Sequence, residues 1–329
     1  MQHFKLIAAF AALGFAASAN AVNDDLESRV TASDGWVAYR VPLVAGGDGP
    51  CCYSVRDGDA TRKGCDLDGG DWNGDADRDD PAAALDHTLA VYLRVEHGRV
   101  ERIRALAASC PIRATGAVRW VDPANPASSV KMLLSLLDRK VGDAQDHGLI
   151  ALAYHADSSA MSALAGRAES SHPFKEREQA LFWLGQTRGA EGADVIERYA
   201  TTDADPKLRV KAIFALSQSK APDAYKHILA MAHDDPTEQV RGQALFWLAQ
   251  MGDARAKDDI IASLQKESSD KVREQAVFAL SRLHGDAAED ALVAVLRGDY
   301  SRAVKKQALF WLGQSGSPRA MAYFDEALK

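Results

Sequence analysis

Ala180-Leu181-Phe182-Trp183-Leu184-Gly185-Gln186 returns as Ala244-Leu245-Phe246-Trp247-Leu248-Ala249-Gln250 and again as Ala308-Leu309-Phe310-Trp311-Leu312-Gly313-Gln314. Between them lie Ala212-Ile213-Phe214-Ala215-Leu216-Ser217-Gln218 and Ala276-Val277-Phe278-Ala279-Leu280-Ser281-Arg282. The step is 32 residues each time, and one step upstream Gly148-Leu149-Ile150-Ala151-Leu152-Ala153-Tyr154 is a degenerate sixth copy. A constant register over six copies is the signature of a repeat architecture.

Each copy reads as two helices. Val272, Ala276, Ala279, Leu280 and Leu283 fall on one helical face. His284-Gly285-Asp286 breaks the run, and a second apolar stretch begins at Ala291. Asp205-Pro206, Asp235-Pro236 and Asp270 mark helix starts, because aspartate caps the first free N–H groups and proline is pre-set for the first turn. A two-helix unit of this size cannot bury its apolar side alone, so neighbours must stack. Val272-Arg273-x-x-Ala276-x-x-Ala279-Leu280 resembles the core of the HEAT-like repeat, in particular the short variety first named from phycobilin lyases. The resemblance covers residues 143–329 and implies an α-solenoid of about six two-helix repeats. For function it implies a scaffold or binding surface more often than an enzyme, with a bilin-lyase-like activity as the enzymatic alternative. The first copy departs from the pattern, with Gln145 where the basic residue belongs, and reads as a capping repeat.

Residues 22–125 carry a different pattern. Val37, Tyr39, Val41 and Leu43 alternate with Trp36, Ala38 and Arg40, the period of a half-buried strand. Leu89, Val91, Leu93 and Val95 alternate likewise, and His97-Gly98 is a hairpin turn into a strand over 100–106. Residues 116–121 supply another. The fold class is therefore α+β: a small, disulfide-linked, mainly antiparallel β domain ahead of an all-α solenoid. Asp122-Pro123-Ala124-Asn125-Pro126 marks the boundary. Residues 126–142 form a linker and a docking helix, capped by Ser129, with Val130, Leu133, Leu134 and Leu137 facing the first repeat.

Cys51, Cys52, Cys65 and Cys110 all precede the repeats. Three disulfide connectivities are open to four cysteines. A vicinal Cys51–Cys52 bond strains its ring, so each of these two is expected to reach a distant partner. A Cys52–Cys65 bridge would close a short loop and contribute about 3 kcal/mol. A zinc site of four thiolates is the alternative, without the usual paired C-x2-C spacing. Lys5, the short apolar run over 6–17 and Ala19-Asn20-Ala21 read as a signal peptide cleaved after Ala21, which places the mature chain in the periplasm or outside the cell. No other segment approaches the length of a membrane span.

The net charge is −7, with the acidic excess in residues 22–172 and near balance over 173–329. Neither half has the basic surplus that neutralises a nucleic-acid backbone. No H-E-x-x-H, G-x-S-x-G, Walker loop or G-x-G-x-x-G occurs, and the histidines lack a repeated partner. No cofactor is implied.

Four features remain as candidate sites. Trp183, Trp247 and Trp311 alternate with Ala215 and Ala279, either as interdigitating core or as an aromatic row lining a groove for peptides or glycans. Arg177, Arg209, Arg241, Arg273 and Lys305 form a ladder with rungs about 9–10 Å apart. In HEAT-like arrays such an arginine ties one repeat to an aspartate of its neighbour; the other reading is an anion-binding strip. Gln186, Gln218, Gln250 and Gln314 form a second ladder, for inter-repeat hydrogen bonds or for the rim of a binding surface. Asp71, Asn73, Asp75 and Asp77 match the first positions of a calcium loop, but Ala76 and Ala82 break it, leaving a solvated acidic loop as the simpler account. The expected function is an exported, non-enzymatic scaffold that binds a protein partner, with Met321, Phe324 and Leu328 of the last repeat available for self-association. A calcium- or glycan-binding envelope protein is the third alternative.

Overall fold

The computed structural model describes residues 25–46, 49–56, 59–69, 87–283 and 286–327. The leader over 1–21, the acidic loop with Asp71, Asn73, Asp75 and Asp77, His284 and Leu328 lie outside the described residues.

The amino-terminal unit opens with a short helix, Leu26–Thr31 (α1), and the strand Gly35–Pro42 (β1). A hairpin, Cys52–Arg56 (β2) and Asp59–Lys63 (β3), and a two-residue strand, Cys65–Asp66 (β4), follow. Then come the long strands Thr88–Glu96 (β5) and Arg99–Ala107 (β6), and the short ones Ile112–Arg113 (β7) and Val118–Trp120 (β8). The main sheet runs β6-β5-β1-β8. Its first two pairings are antiparallel, whereas β8 joins β1 in parallel. The β5–β6 turn falls on His97-Gly98, both at positive φ (52° and 71°), as a two-residue hairpin requires.

β1 is buried on both faces, not on one. Val37, Tyr39 and Val41 join Leu89, Val91 and Leu93 against the helices. Trp36 and Ala38 join Ala90, Tyr92, Leu67 and Leu106 in a second core with Cys65 and Cys110. The alternation hid this because both parities of the strand are apolar, so a cover for the second face was needed. The loops carrying the cysteines supply it. Disulfides join Cys51 to Cys110 and Cys52 to Cys65. All four sulfurs are thus committed to bonds, which removes the zinc alternative for this form of the chain.

The helix Pro126–Asp138 (α2) is capped by Asn125, whose side chain accepts the Ser128 N–H at 3.0 Å. The cap expected at Ser129 is corrected: it falls four residues earlier, at Asn125, with Pro126 as the first helical residue, and Ser129 is buried with its hydroxyl 2.9 Å from that of Tyr39.

Six helix pairs follow: Ala144–Tyr154 (α3) with Ser158–Gly166 (α4), Phe174–Thr187 (α5) with Gly189–Thr202 (α6), and Pro206–Gln218 (α7) with Ala224–Asp234 (α8). The series continues with Glu238–Gln250 (α9) and Ala256–Lys266 (α10), Asp270–Ser281 (α11) and Asp286–Arg297 (α12), and Arg302–Ser315 (α13) and Pro318–Ala327 (α14). Leu181, Ile213, Leu245 and Val277, at one position of the repeat, are at most 1 % exposed because each is covered by the next pair. The equivalent Leu309 has no following pair among the described residues and is 46 % exposed. Successive first helices pack along their length while successive second helices touch sparsely. Such a stack curves, with its first helices on the inner side.

Sheet and solenoid share one apolar core, which runs from Leu26 through Leu152 to Leu312. At the junction, the Val44 N–H donates to the Tyr154 carbonyl and the Ala156 N–H to the Pro42 carbonyl, both at 2.9 Å. Asp143, just ahead of α3, accepts the Ile103 N–H of edge strand β6 at 2.8 Å and pairs with Arg104. His155 sits in this junction, fully buried, with Nδ1 accepting the Asp157 N–H at 3.1 Å and Nε2 without a partner. Burial pushes its pKa from the ordinary 6.5 down to about 4, against the pull of Asp157 and with that of Arg188.

That shift predicts an acid response. Below pH 6.5 the unfolded chain takes up this proton while the folded chain resists until about pH 4. Stability contributed by neutral His155, up to about 3 kcal/mol, is therefore present above pH 6.5 and lost as pH falls through 4. Urea melts of the wild-type chain and of His155→Leu from pH 7.5 to 4 measure this. The variant should show a shallower pH slope, and equal slopes would remove His155 from the account.

Candidate functional site

The arginine ladder faces inward. The Arg177 guanidinium pairs with Asp203, while its Nε donates to the Ala168 carbonyl at 2.9 Å. Arg209 holds Asp235 bidentately, Nε to Oδ2 at 2.8 Å and Nη2 to Oδ1 at 2.9 Å. Arg241 holds Glu267 the same way, at 2.8 and 3.1 Å. Their Nη1 groups reach back to the carbonyls of Asp203 and Asp235, at 2.8 and 2.9 Å. Each arginine of this pair thereby clamps the inter-repeat loop before its helix to the loop after it. The carboxylates also accept backbone N–H groups of the next loop, from Thr237 and Ser269. The hydrogen bond that Arg209 donates to Asp235 raises the pKa of Arg209, and the one that Arg241 donates to Glu267 does the same for Arg241. Committed in this way, Arg177, Arg209 and Arg241 tie repeats together and present no strip to an outside anion. Arg273 behaves differently: among the described residues its carboxylate partner is Asp270 of its own helix, at 3.0 Å. Lys305 is half-buried.

Gln186, Gln218, Gln250 and Gln314 are exposed at the carboxy-terminal ends of their helices. Among the described residues none bridges to a neighbouring repeat; the Gln218 amide donates to Ser217 of its own helix at 3.2 Å. Geometrically they form a rim.

Beside them runs a continuous row of aromatic rings. Trp183 meets Tyr154 (centroids 6.0 Å apart) and Phe182 (5.1 Å). Phe182 stacks on Phe214 at 6.0 Å with 12° between planes. Phe214 meets Trp247 at 5.0 Å, Trp247 meets Phe246 at 5.0 Å, and Phe246 stacks on Phe278 at 5.8 Å and 7°. The row continues to Trp311 at 5.1 Å and Phe310 at 5.0 Å. The tryptophan–alanine alternation has a geometric reason here. Where the residue after phenylalanine is alanine, the phenylalanine stacks directly on that of the preceding repeat. Where it is tryptophan, the indole is interposed.

These rings are half-buried, apart from Phe310 at 52 % exposure. They lie on the inner side of the curve, on the same helices as the glutamines and the cross-repeat pair Lys211–Glu178 at 2.5 Å. The tryptophans were visible as candidates from the sequence, whereas Phe182, Phe214, Phe246, Phe278 and Phe310 were passed over. Their recurrence at the third position of every full heptapeptide was the available signal: a core position alone tolerates Leu, Ile or Val, as the neighbouring position does.

The row has the physical character of a binding surface: large, stiff apolar groups beside adaptable amides, along a concave face. No helix among the described residues is long and apolar enough to cross a membrane. Models of HEAT repeats match the sequence over residues 161–249, 225–296 and 258–329. Among solved structures, human deoxyhypusine hydroxylase in complex with glycerol is similar at 17% identity. The match covers 58% of this chain and 80% of that one at a TM-score of 0.32, a likeness too distant to bear on function. No protein of curated function matches the sequence.

Proposed function

The chain belongs to the HEAT-repeat family, and on that premise we propose that it is a non-enzymatic scaffold which holds a protein partner against the inner face of its solenoid. The observation that carries this reading is the aromatic row from Tyr154 to Phe310, rimmed by Gln186, Gln218, Gln250 and Gln314. A stack stabilised only for its own sake would bury its largest side chains; this one leaves a ribbon of rings partly exposed to solvent. Proteins use such rigid amphipathic groups as anchors. The internal arginine ladder supports the same division of labour, since it holds the repeats in register beneath the open row.

We also propose that the chain works in an exported, oxidising compartment, which the leader pattern of residues 1–21 and the two disulfides support. Leu309, Phe310 and Met321, exposed in the last pair, support a second contact through which the chain self-associates.

The test is affinity capture with the full mature chain, comparing wild type with Phe214→Ser/Phe246→Ser. The double variant changes partly exposed rings and should keep the far-ultraviolet spectrum. It is expected to weaken partner capture at least about ten-fold, the effect of losing two aromatic anchors of ~1 kcal/mol or more each. Undiminished capture by the variant would overturn this reading.

A further inference from the structure

The arginine ladder is interrupted at one repeat, and a cavity stands at the interruption. At the junctions after α6, α8 and α10, the residue closing the second helix is Asp203, Asp235 or Glu267, and each accepts from the arginine of its own repeat. The equivalent residue after α12 is Asp299. Gly298 stands where Thr202, Asp234 and Lys266 end their helices, and α12 stops one residue earlier, at Arg297. Tyr300 folds over the bare Cα of Gly298, so close that a Cβ there would lie 2.7 Å from the ring. Asp299 is thereby carried outward and is exposed.

Arg273 lacks the cross-junction carboxylate that Arg209 and Arg241 hold, and pairs instead with Asp270 of its own helix. Its Nη1 turns to Asp270 at 3.0 Å, and its Nε is buried with no acceptor. In Arg209 and Arg241 this Nε edge is the one that receives a carboxylate. Arg273 lines a half-open cavity of about 300 Å³ together with the apolar Ile261, Leu264, Ala291 and Val295, the ring of Tyr300, and the polar Gln265 and Asp299. A cationic donor edge beside aliphatic walls, with the Gln265 amide nearby, suits a small amphiphilic anion, and Asp299, among the lining residues, is the one acidic group that opposes it.

We propose that this cavity, between α10, α11 and α12, binds a carboxylate carried on a short apolar chain, with Arg273 as its anchor. The ligand completes from outside the pair that Asp235 and Glu267 complete from within. The shared chemistry has two sources, a free short-chain carboxylate or the carboxyl terminus of a peptide that ends in an aliphatic residue. Asp299 also lines the cavity, and because it is exposed, solvent screening weakens its repulsion of the ligand without removing it. This site is separate from the aromatic row and does not rest on the scaffold reading.

Calorimetric titration of the full chain tests it, with sodium butyrate and a tripeptide ending in valine as probes. Butyramide and the amidated tripeptide are the controls. At least one of the acids is expected to bind, with its amide weaker by about ten-fold or more, the effect of a lost charge-assisted hydrogen bond. Binding of butyrate identifies a free carboxylate as sufficient, and binding of the peptide acid alone identifies a chain terminus. Arg273→Gln should abolish the acid–amide difference while leaving the circular dichroism spectrum intact. If that variant fails to fold, the acid–amide comparison on the wild-type chain still decides. No heat from either acid, or equal heat from acid and amide, overturns the proposal. So does binding that appears only in Asp299→Asn, because Asp299 would then be the natural occupant.

Discussion

Arg209→Met is expected to destabilise the solenoid by about 3–5 kcal/mol, among the largest losses any single substitution outside the disulfides would cause. The reason is asymmetry between making a buried pair and breaking one. The Arg209 and Asp235 side chains are 8% and 4% exposed, and the guanidinium spends its donors on both carboxylate oxygens, the Asp203 carbonyl and the Thr237 hydroxyl. Removing the arginine leaves a carboxylate in a dry junction between two repeats. Urea unfolding followed by circular dichroism measures the loss, and a change under about 1 kcal/mol would show that the junction is wetter than its geometry implies. Two companions sharpen the result. Arg209→Met/Asp235→Leu should recover much of the stability, because a buried ion pair replaced whole by apolar groups is often neutral. Arg273→Met, at the same repeat position but 26% exposed and bonded only within its own helix, should cost about 1 kcal/mol or less. One motif residue, read identically from sequence at four positions, is therefore expected to divide into three clamps and one open donor.

What the sequence disclosed followed from how far each signal reaches. The solenoid was legible because a 32-residue step with no insertion constrains every helix at once. Val37, Tyr39, Leu89 and Val91 placed β1 and β5 by period alone. The second face of the sheet was not legible, since Trp36 and Ala38 announce burial without naming what covers them. Cys52 and Cys65 lie near each other in the chain, whereas Cys51 and Cys110 are 59 residues apart and meet only through tertiary structure. The parallel pairing of β8 with β1 is equally non-local. At the candidate site, the recurrence of tryptophan marked the row but not its continuity. Continuity depends on Phe182 stacking on Phe214 and Phe246 on Phe278, contacts between residues one repeat apart. The interrupted rung at Arg273 was present in the sequence as Gly298. A glycine among Thr202, Asp234 and Lys266 carries no meaning until the helix end it shortens is seen.

Trp247→Ala is expected to cost about 3 kcal/mol, the lower end of the range for deleting a large aromatic side chain from a packed site. The discount follows from its half-buried setting. Its indole is held between Phe214 and Phe246, both with centroids at 5.0 Å, in tilted and edge-on contacts that add to simple area burial. Alanine at 247 would reproduce the local sequence of the copies at Ala215 and Ala279. Those copies, however, are closed by direct stacking of Phe214 on Phe182 and of Phe278 on Phe246. Phe246 reaches Phe214 only through the indole, so the substitution opens a gap and the row is cut in two. Because a repeat array unfolds in parts, the measurement is amide exchange resolved by helix, with protection expected to fall most in α7 and α9. The same variant separates the two meanings of the row. A loss of stability with partner capture retained makes Trp247 a spacer between stacked phenylalanines. Unchanged protection with capture lost makes it an anchor that the partner, not the fold, requires.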